Sequence, residues 1–166
     1  VGVFLRADGV VAEARRGVVT AAKRVVTVAG DAADSLAATL PAATTLARVG
    51  LAVMLVAAGG HKLLQPGNWT VYVTDWLAPL LVVSPRVFML VNGWLELGFA
   101  ALLLADRYTA LAATVAWVSV SATIAYLSVV WLTTGAFGDV IARDLGLLAL
   151  ALVVFRDART PANADQ

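Results

Sequence analysis

Four long apolar segments constrain this chain more than any other feature of its sequence. They cover about residues 42–64, 86–105, 108–132 and 136–155, and none of them contains a proline. A helix needs roughly 20 mainly apolar residues to cross about 30 Å of hydrocarbon. Only 14% of the residues are charged, whereas soluble domains carry about 25%. The sequence therefore predicts an all-α integral membrane protein with a four-helix bundle.

The connections and the basic residues predict a topology. Ala105–Arg107 is so short a connection that the second and third spans must form an antiparallel hairpin. Basic residues concentrate on the side of the termini: Arg6, Arg15, Arg16, Lys23, Arg24, Arg48, Arg107, Arg156 and Arg159, against Lys62, Arg86 and Arg143 opposite. Because basic loops stay in the cytoplasm, we expect a multi-pass protein of the cell membrane with both termini inside.

The connection between the first two spans is long and rich in aromatic residues. Its apolar residues have the spacing of one helix face: Trp69, Tyr72, Val73, Trp76, Leu77 and Leu80. Tryptophan and tyrosine favour the headgroup level, where Trp131 at the end of the third span would also lie. This pattern predicts an interfacial or re-entrant helix, and an irregular apolar loop covering the bundle end is the alternative.

Residues 1–40 differ in character from the membrane domain, residues 41–156, and from the polar tail, residues 157–166. Valine pairs recur every seven or eight residues, and polar residues occupy the other helix face: Val10, Val11, Val18, Val19, Val25 and Val26 against Glu13, Arg16, Thr20, Lys23, Arg24 and Asp31. The pattern predicts an amphipathic helix, interrupted at Gly9 and Gly17, on the cytoplasmic lipid surface. A twin-arginine export signal is the alternative, although Lys23 and Arg24 interrupt the apolar stretch it needs.

Composition excludes several kinds of chemistry. The chain has no cysteine and a single histidine, His61, so disulfides, thiolate nucleophiles, iron–sulfur clusters and a bis-histidine haem within one chain are ruled out. We therefore predict no metal site, no catalytic residue and no covalently bound cofactor. A net charge of +1 gives no field that would favour nucleic acid.

The ionisable residues inside the predicted spans are the candidate functional residues. Glu96 lies near the middle of the second span, with Asn92 one turn away and the small residues Gly93 and Ala100 beside it. A charge at this depth costs about 2.5–3.5 kcal/mol on insertion scales and usually faces the bundle interior. We therefore expect Glu96 to face inward.

The neighbouring spans carry further polar residues toward the same end. The predicted intramembrane cluster consists of Lys62, Asn92, Glu96, Tyr126, Arg143 and Asp144, with Ser119 and Thr123 lining the same interior. Glu96 is expected either to form an ion pair with Arg143 or to be a protonated carboxyl. In the simpler alternatives, Arg143 pairs with Asp139, Lys62 extends to the interface, and His61 is a hydrogen-bonded surface residue.

Four short motifs, in order along the spans, resemble the DoxX family of small four-helix membrane proteins. They are Leu46–Gly50, Gly59–Leu63, Asn92–Gly98 and Ala142–Leu148, and the resemblance extends over residues 42–155. Relatives are associated with membrane redox systems. The resemblance thus implies a non-catalytic anchor or accessory subunit of a membrane oxidoreductase, with quinone as its cofactor and Lys62, Glu96, Arg143 and Asp144 at the family's polar positions.

Two other functions remain open on the sequence. A small bundle with a charged interior could be a carrier or channel for protons or a small solute, as a homo-oligomer because one bundle encloses little volume. A stand-alone enzyme would need a serine or threonine nucleophile, and the single histidine lies at the edge of a span.

Overall fold

The computed structural model describes residues 2–160, with side chains from residue 15 onward. The described residues form helices and contain no β-strand, so the predicted all-helical class is confirmed. The chain divides after Pro41 into two compact units.

The first unit contains one helix, α1, which runs without interruption over Gly2–Ala37. The predicted breaks at Gly9 and Gly17 are therefore wrong. A glycine inside a helix costs about 1 kcal/mol relative to alanine, and the helix formers around these two absorb that cost. All side chains of residues 15–40 are exposed, while the side chains of Val10, Val11 and Glu13 lie outside the described part.

The second unit contains four long helices, which are α2 (Ala43–Leu64), α4 (Pro85–Leu104), α5 (Thr109–Thr134) and α6 (Gly138–Arg159). A single helical turn, α3 (Gly67–Thr70), and a 3-10 turn over Ala78–Leu80 lie between α2 and α4. α2 packs against α4 and α6, and α5 packs mainly against α6. We call the end of these helices near residues 105–108 the hairpin end, and the end near residues 65–84 the loop end.

Among the described helices, α2, α4 and α5 are long and apolar enough to cross a membrane, with mean hydropathies of 1.5, 1.9 and 1.8. α6 has sufficient length, but Asp139, Arg143 and Asp144 interrupt its apolar stretch. The fourth crossing therefore stays a prediction.

The apolar core lies toward the hairpin end and is built largely from alanine. Its fully buried members include Leu51, Ala52, Leu103, Ala112 and Ala151. Small side chains let membrane helices approach closely and replace the hydrophobic driving force, which is missing in lipid, with dense packing. Large apolar side chains such as Val53, Trp94 and Leu132 remain exposed on the outside of the helices, where lipid would contact them.

The long connection at the loop end is not the continuous interfacial helix that its periodicity predicts. Beyond α3 it consists of turns and the 3-10 segment, which agrees with the irregular alternative. One physical reason is that the Thr74 N–H donates to the Tyr126 hydroxyl at 3.2 Å instead of to a helical carbonyl. A second is that Pro79 has no N–H to donate.

The hairpin end is held by a Schellman motif. Asp106 adopts a left-handed conformation with φ 52°, the Arg107 N–H donates to Leu102 O at 3.0 Å and the Asp106 N–H to Leu103 O at 3.2 Å. Arg48 Nη1 on α2 also donates to Leu103 O, at 2.6 Å. A cation is favourable at this end of a helix because the last carbonyls are unsatisfied.

Candidate functional site in the membrane domain

An ion pair between α2 and α4 forms the centre of the candidate site. Lys62 Nζ donates a hydrogen bond to Glu96 Oε1. Only 10% of the Lys62 side chain and 23% of the Glu96 side chain are exposed. Lys62 is therefore largely buried and is paired with a residue of α4.

A contact between two glycines brings this pair together. A Cβ atom added to Gly59 would lie 2.7 Å from Gly93 O, and one added to Gly93 would lie 3.0 Å from Gly59 O. The backbones of α2 and α4 thus touch at a point where any side chain would separate them. Lys62 and Glu96 each follow one of these glycines by three residues, so they lie one turn along the same contact face.

An aromatic side chain from the loop end lies over the ammonium group. Lys62 Nζ is 4.4 Å from the centroid of the Trp69 ring, a distance at which a cation is attracted to the ring face. The Trp69 Nε1–H donates to His61 Nδ1 at 3.1 Å. Trp69 therefore connects the buried Lys62 to the exposed His61.

The hydrogen bonds of His61 fix the tautomer of a neutral imidazole at this position. Because Nδ1 accepts from Trp69, the proton of a neutral imidazole is on Nε2, which lies 3.3 Å from Gln65 Oε1. The same Gln65 oxygen accepts from Asn68 Nδ2 at 2.7 Å. His61 is thus a hydrogen-bonded surface residue, and the described residues include no group of three histidine, aspartate or glutamate side chains that could hold a metal ion.

One carboxylate oxygen of the pair has no donor. Glu96 Oε2 is buried, and no group in the described part of the chain donates to it. A carboxylate oxygen has strong acceptor capacity, and leaving it unmet in a buried position is costly. Trp117 Nε1 on α5 is similarly buried without an acceptor, and its indole packs against Phe155.

Tyr126 joins α5 to the loop end through its hydroxyl, whose hydrogen bonds do not include Glu96. Its hydroxyl donates to Tyr72 O at 2.8 Å and accepts from the Thr74 N–H. Since a phenol has a single proton, the Thr74 hydroxyl at 3.0 Å must also donate to it. The Tyr126 oxygen is therefore fully satisfied, and its function here is to hold the backbone of the loop end.

The remaining members of the predicted cluster are not brought to Glu96. Arg143 Nε and Nη2 both lie 3.0 Å from Asp144 Oδ1, so the expected Glu96–Arg143 and Asp139–Arg143 pairs are wrong. The Asn92 amide donates to Phe88 O of its own helix at 2.9 Å. Arg143 is thus paired within its own helix, as in the simpler alternative, but its partner is Asp144 and not Asp139.

The hydroxyls of α5 do not line the interior either. Ser119 and Thr123 are exposed, and Thr123 Oγ1 donates to Ser119 O at 3.0 Å. Of the predicted interfacial aromatic residues, Trp76 and Trp131 are 53% and 50% exposed. Tyr72 is half-buried against Phe137, with ring centroids 5.0 Å apart.

Sequence reasoning missed Gly59 as the residue that positions Lys62, and Trp69 as its aromatic neighbour. The signal for the first was the equal spacing, glycine followed by an ionisable residue three positions later, in both Gly59–Lys62 and Gly93–Glu96. No comparable signal placed Trp69, because the backbone turns between the two residues are not periodic.

One comparison with known proteins, a scan of family models, found a match. The DoxX family model matches residues 43–131, which include both glycines and both members of the Lys62–Glu96 pair. The Arg143–Asp144 pair lies beyond the matched residues. No curated protein and no solved structure matches the chain. Because the family model covers more than half of the 166 residues, the chain belongs to the DoxX family.

Proposed function

We propose that this protein is a non-catalytic membrane subunit that assists an oxidoreductase of the cell membrane and holds a quinone head group at the Lys62–Glu96 pair. The observation that carries the proposal is the buried Glu96 Oε2, which has no donor. A quinone carbonyl can accept from an ammonium group, and a quinol hydroxyl can donate to a carboxylate. The pair offers both kinds of partner.

The surroundings of the pair also suit a flat ring. Trp69 supplies an aromatic face beside Lys62, and small pockets in proteins usually combine an apolar wall with few polar groups. A bound quinone would supply two-electron and proton exchange within the bilayer. The chain would bind and orient it, because the described residues offer no thiol and no metal-binding cluster.

Binding of a short-tailed benzoquinone to the full chain in nanodiscs tests this proposal. Lys62→Met should weaken binding at least tenfold, and Trp69→Phe should reduce the quenching of tryptophan fluorescence that accompanies binding, because Trp69 is the tryptophan at the site. Arg48→Met is the matched control, since it removes the other cation that α2 directs toward α4. Equal affinity in wild type and Lys62→Met would contradict the site.

The partner is tested separately from the ligand. Purification in a mild detergent, followed by mass spectrometry, should recover an oxidoreductase with the full chain. If the chain is recovered alone and instead carries protons across liposomes without a partner, the carrier alternative replaces the subunit proposal. The same buried, unpaired carboxylate oxygen favours that alternative, because such a group can accept a proton.

The proposal includes a fourth crossing, by α6, with both termini in the cytoplasm. Leu145, Leu152 and Val153 are exposed on α6, as expected for a lipid-facing side. The charges of Arg143 and Asp144 cancel within the helix, and Arg143 lies close enough to the loop end to extend toward the headgroups.

Single-cysteine labelling tests both the crossing by α6 and the cytoplasmic position of the carboxyl terminus, since the sequence has no native cysteine. Ala136→Cys and Thr160→Cys lie on either side of α6 and should react from opposite faces of intact vesicles, with position 160 on the cytoplasmic face. Reaction of both from one face would show that α6 does not cross.

A further inference from the structure

The helix α1 carries a sequence pattern that the proposed function does not use. A basic pair, a valine pair and a threonine occur twice, in residues 15–20 and again in residues 23–27. Both threonine hydroxyls bond to their own helix, Thr20 to Arg16 O at 2.9 Å and Thr27 to Lys23 O at 3.0 Å. The threonine hydroxyls of the repeat therefore donate within the helix itself.

The repeat produces an apolar stripe on the described part of α1. Val18, Val19, Val25 and Val26 recur at a spacing of seven, so they fall on one side of the helix. We call these four residues the valine stripe. They are 69%, 48%, 68% and 72% exposed. In water, an exposed apolar stripe of this kind is unfavourable, so a partner should cover it.

The charges beside the stripe indicate an anionic partner. Arg15 lies on the side of the stripe and Lys23 at its edge, whereas Arg24 and Asp31 lie on the opposite side of the helix and Asp34 follows only in the last turn. Valines bury little area each, so the stripe alone would anchor weakly. An interfacial helix of this kind needs electrostatic attraction as its second contribution.

The chain connectivity indicates that this partner is a lipid surface. α1 ends at Ala37, and α2, which is long and apolar enough to cross a membrane, begins at Ala43. Five residues span at most about 18 Å when fully extended. The end of α1 is therefore tethered next to headgroups, which gives them a high effective concentration relative to any free partner.

We propose that α1 lies on the bilayer as a sensor of anionic lipid, with the valine stripe in the headgroup boundary and Arg15 and Lys23 on lipid phosphates. The helix docks where the surface is anionic and is released where it is neutral. This surface is independent of the Lys62–Glu96 site.

Two full-length single-cysteine variants test the proposal. Val25→Cys lies on the stripe, and Thr27→Cys lies two residues away on the opposite side of the helix. Each is labelled with an environment-sensitive dye and reconstituted into vesicles of phosphatidylcholine, with or without phosphatidylglycerol. Acrylamide serves as the aqueous quencher, because it is uncharged and is not repelled by anionic lipid. In anionic vesicles, the dye at position 25 should be several-fold less quenched than the dye at position 27.

Charge removal measures the electrostatic part. Changing Arg15 and Lys23 together to Gln should lower the ratio of docked to released helix roughly thirtyfold in anionic vesicles, given the contribution of each basic residue near such a surface. Changing Arg156 and Arg159 of α6 to Gln removes the same charge elsewhere and should leave the ratio unchanged.

Three results would overturn the proposal. Equal quenching at positions 25 and 27 in anionic vesicles would show a solvated helix. Equal shielding of position 25 in neutral and anionic vesicles would show that anionic lipid is not recognised. Efficient disulfide formation between two copies through Val25→Cys would show that a second chain covers the stripe.

Discussion

α2 carries two basic residues, Arg48 and Lys62, that bond to α4 or to the turn that follows it. Their surroundings differ. Arg48 lies at the hairpin end, where its firmest contact is Leu103 O at 2.6 Å and its acidic partner Asp106 is 65% exposed at 3.5 Å. Lys62 lies at the loop end, where its acidic partner Glu96 is 23% exposed. The first pair closes a helix end, whereas the second satisfies no backbone group.

This difference separates a structural pair from a candidate functional one. Arg48 supplies a hydrogen bond to a carbonyl that a helix terminus leaves exposed. A buried pair such as Lys62–Glu96 can often be replaced by apolar residues without loss of stability. The fold therefore explains Arg48 by itself, while the Lys62–Glu96 pair is where the proposed function places a ligand.

The largest expected effect comes from removing one member of the buried pair. Lys62→Met leaves Glu96 buried without its donor, and we expect unfolding in detergent to become easier by about 3–5 kcal/mol. Changing Glu96 to Gln in the same chain should recover much of this loss. Thermal unfolding of both single variants and the double variant gives their coupling energy.

The comparison between the two ends would fail if the coupling energy were near zero. The Lys62–Glu96 pair would then contribute as little to stability as an exposed ion pair, and it would not differ in this respect from Arg48–Asp106. Circular dichroism and gel filtration of each variant check that the chain remains helical and dispersed.

A smaller effect should follow from separating the helices that carry the pair. Gly59→Ala adds a Cβ atom 2.7 Å from Gly93 O and 3.1 Å from Glu96 Cβ, so α2 and α4 must move apart. We expect a loss of about 1–3 kcal/mol in thermal unfolding together with weaker quinone binding.

The neighbouring glycine provides the matched control. A Cβ atom at Gly60 meets nothing within 4 Å, and alanine is favoured over glycine in a helix by up to about 1 kcal/mol. Gly60→Ala should therefore leave stability unchanged or raise it. Equal losses in both variants would mean that the glycine contact does not position the pair.

Much of the helical architecture was predictable, because proline positions and apolar length limit where long helices begin and end. The position of Glu96 in the middle of the second predicted span also identified it as a candidate functional residue. Its partner was not predictable, because Lys62 and Arg143 both lay within reach of the same helix region. α5 is apolar on every side, so no periodicity indicated that Ser119 and Thr123 would face outward. Hydrogen bonds to the Tyr126 hydroxyl hold the backbone of the loop end, and such bonds leave no periodic pattern in the sequence.

Tyr126 tests whether the loop end depends on these specific hydrogen bonds. Tyr126→Phe leaves the Thr74 N–H and Tyr72 O without their partner, and we expect a loss of about 1–2 kcal/mol. Hydrogen exchange should rise in residues 71–77 more than at the hairpin end. Tyr108→Phe, at a tyrosine that is 75% exposed, is the control and should change stability by less than about 0.5 kcal/mol.

The smallest effect is expected at the hairpin end, from Asp106→Asn. Asparagine also tolerates the left-handed conformation of this residue and keeps an oxygen that can accept from Thr109 Oγ1, now at 2.9 Å. The substitution removes only the exposed ion pair with Arg48. We therefore expect the free energy of unfolding to fall by less than about 1 kcal/mol at low salt and not at all at high salt.

Arg48→Gln should lower the free energy of unfolding more than Asp106→Asn, because it also withdraws the donor from Leu103 O. Unfolding of both variants at low and high salt measures the two contributions. If Asp106→Asn alone cost as much as Lys62→Met, the two ends would depend on charge equally, and the contrast between them would be lost.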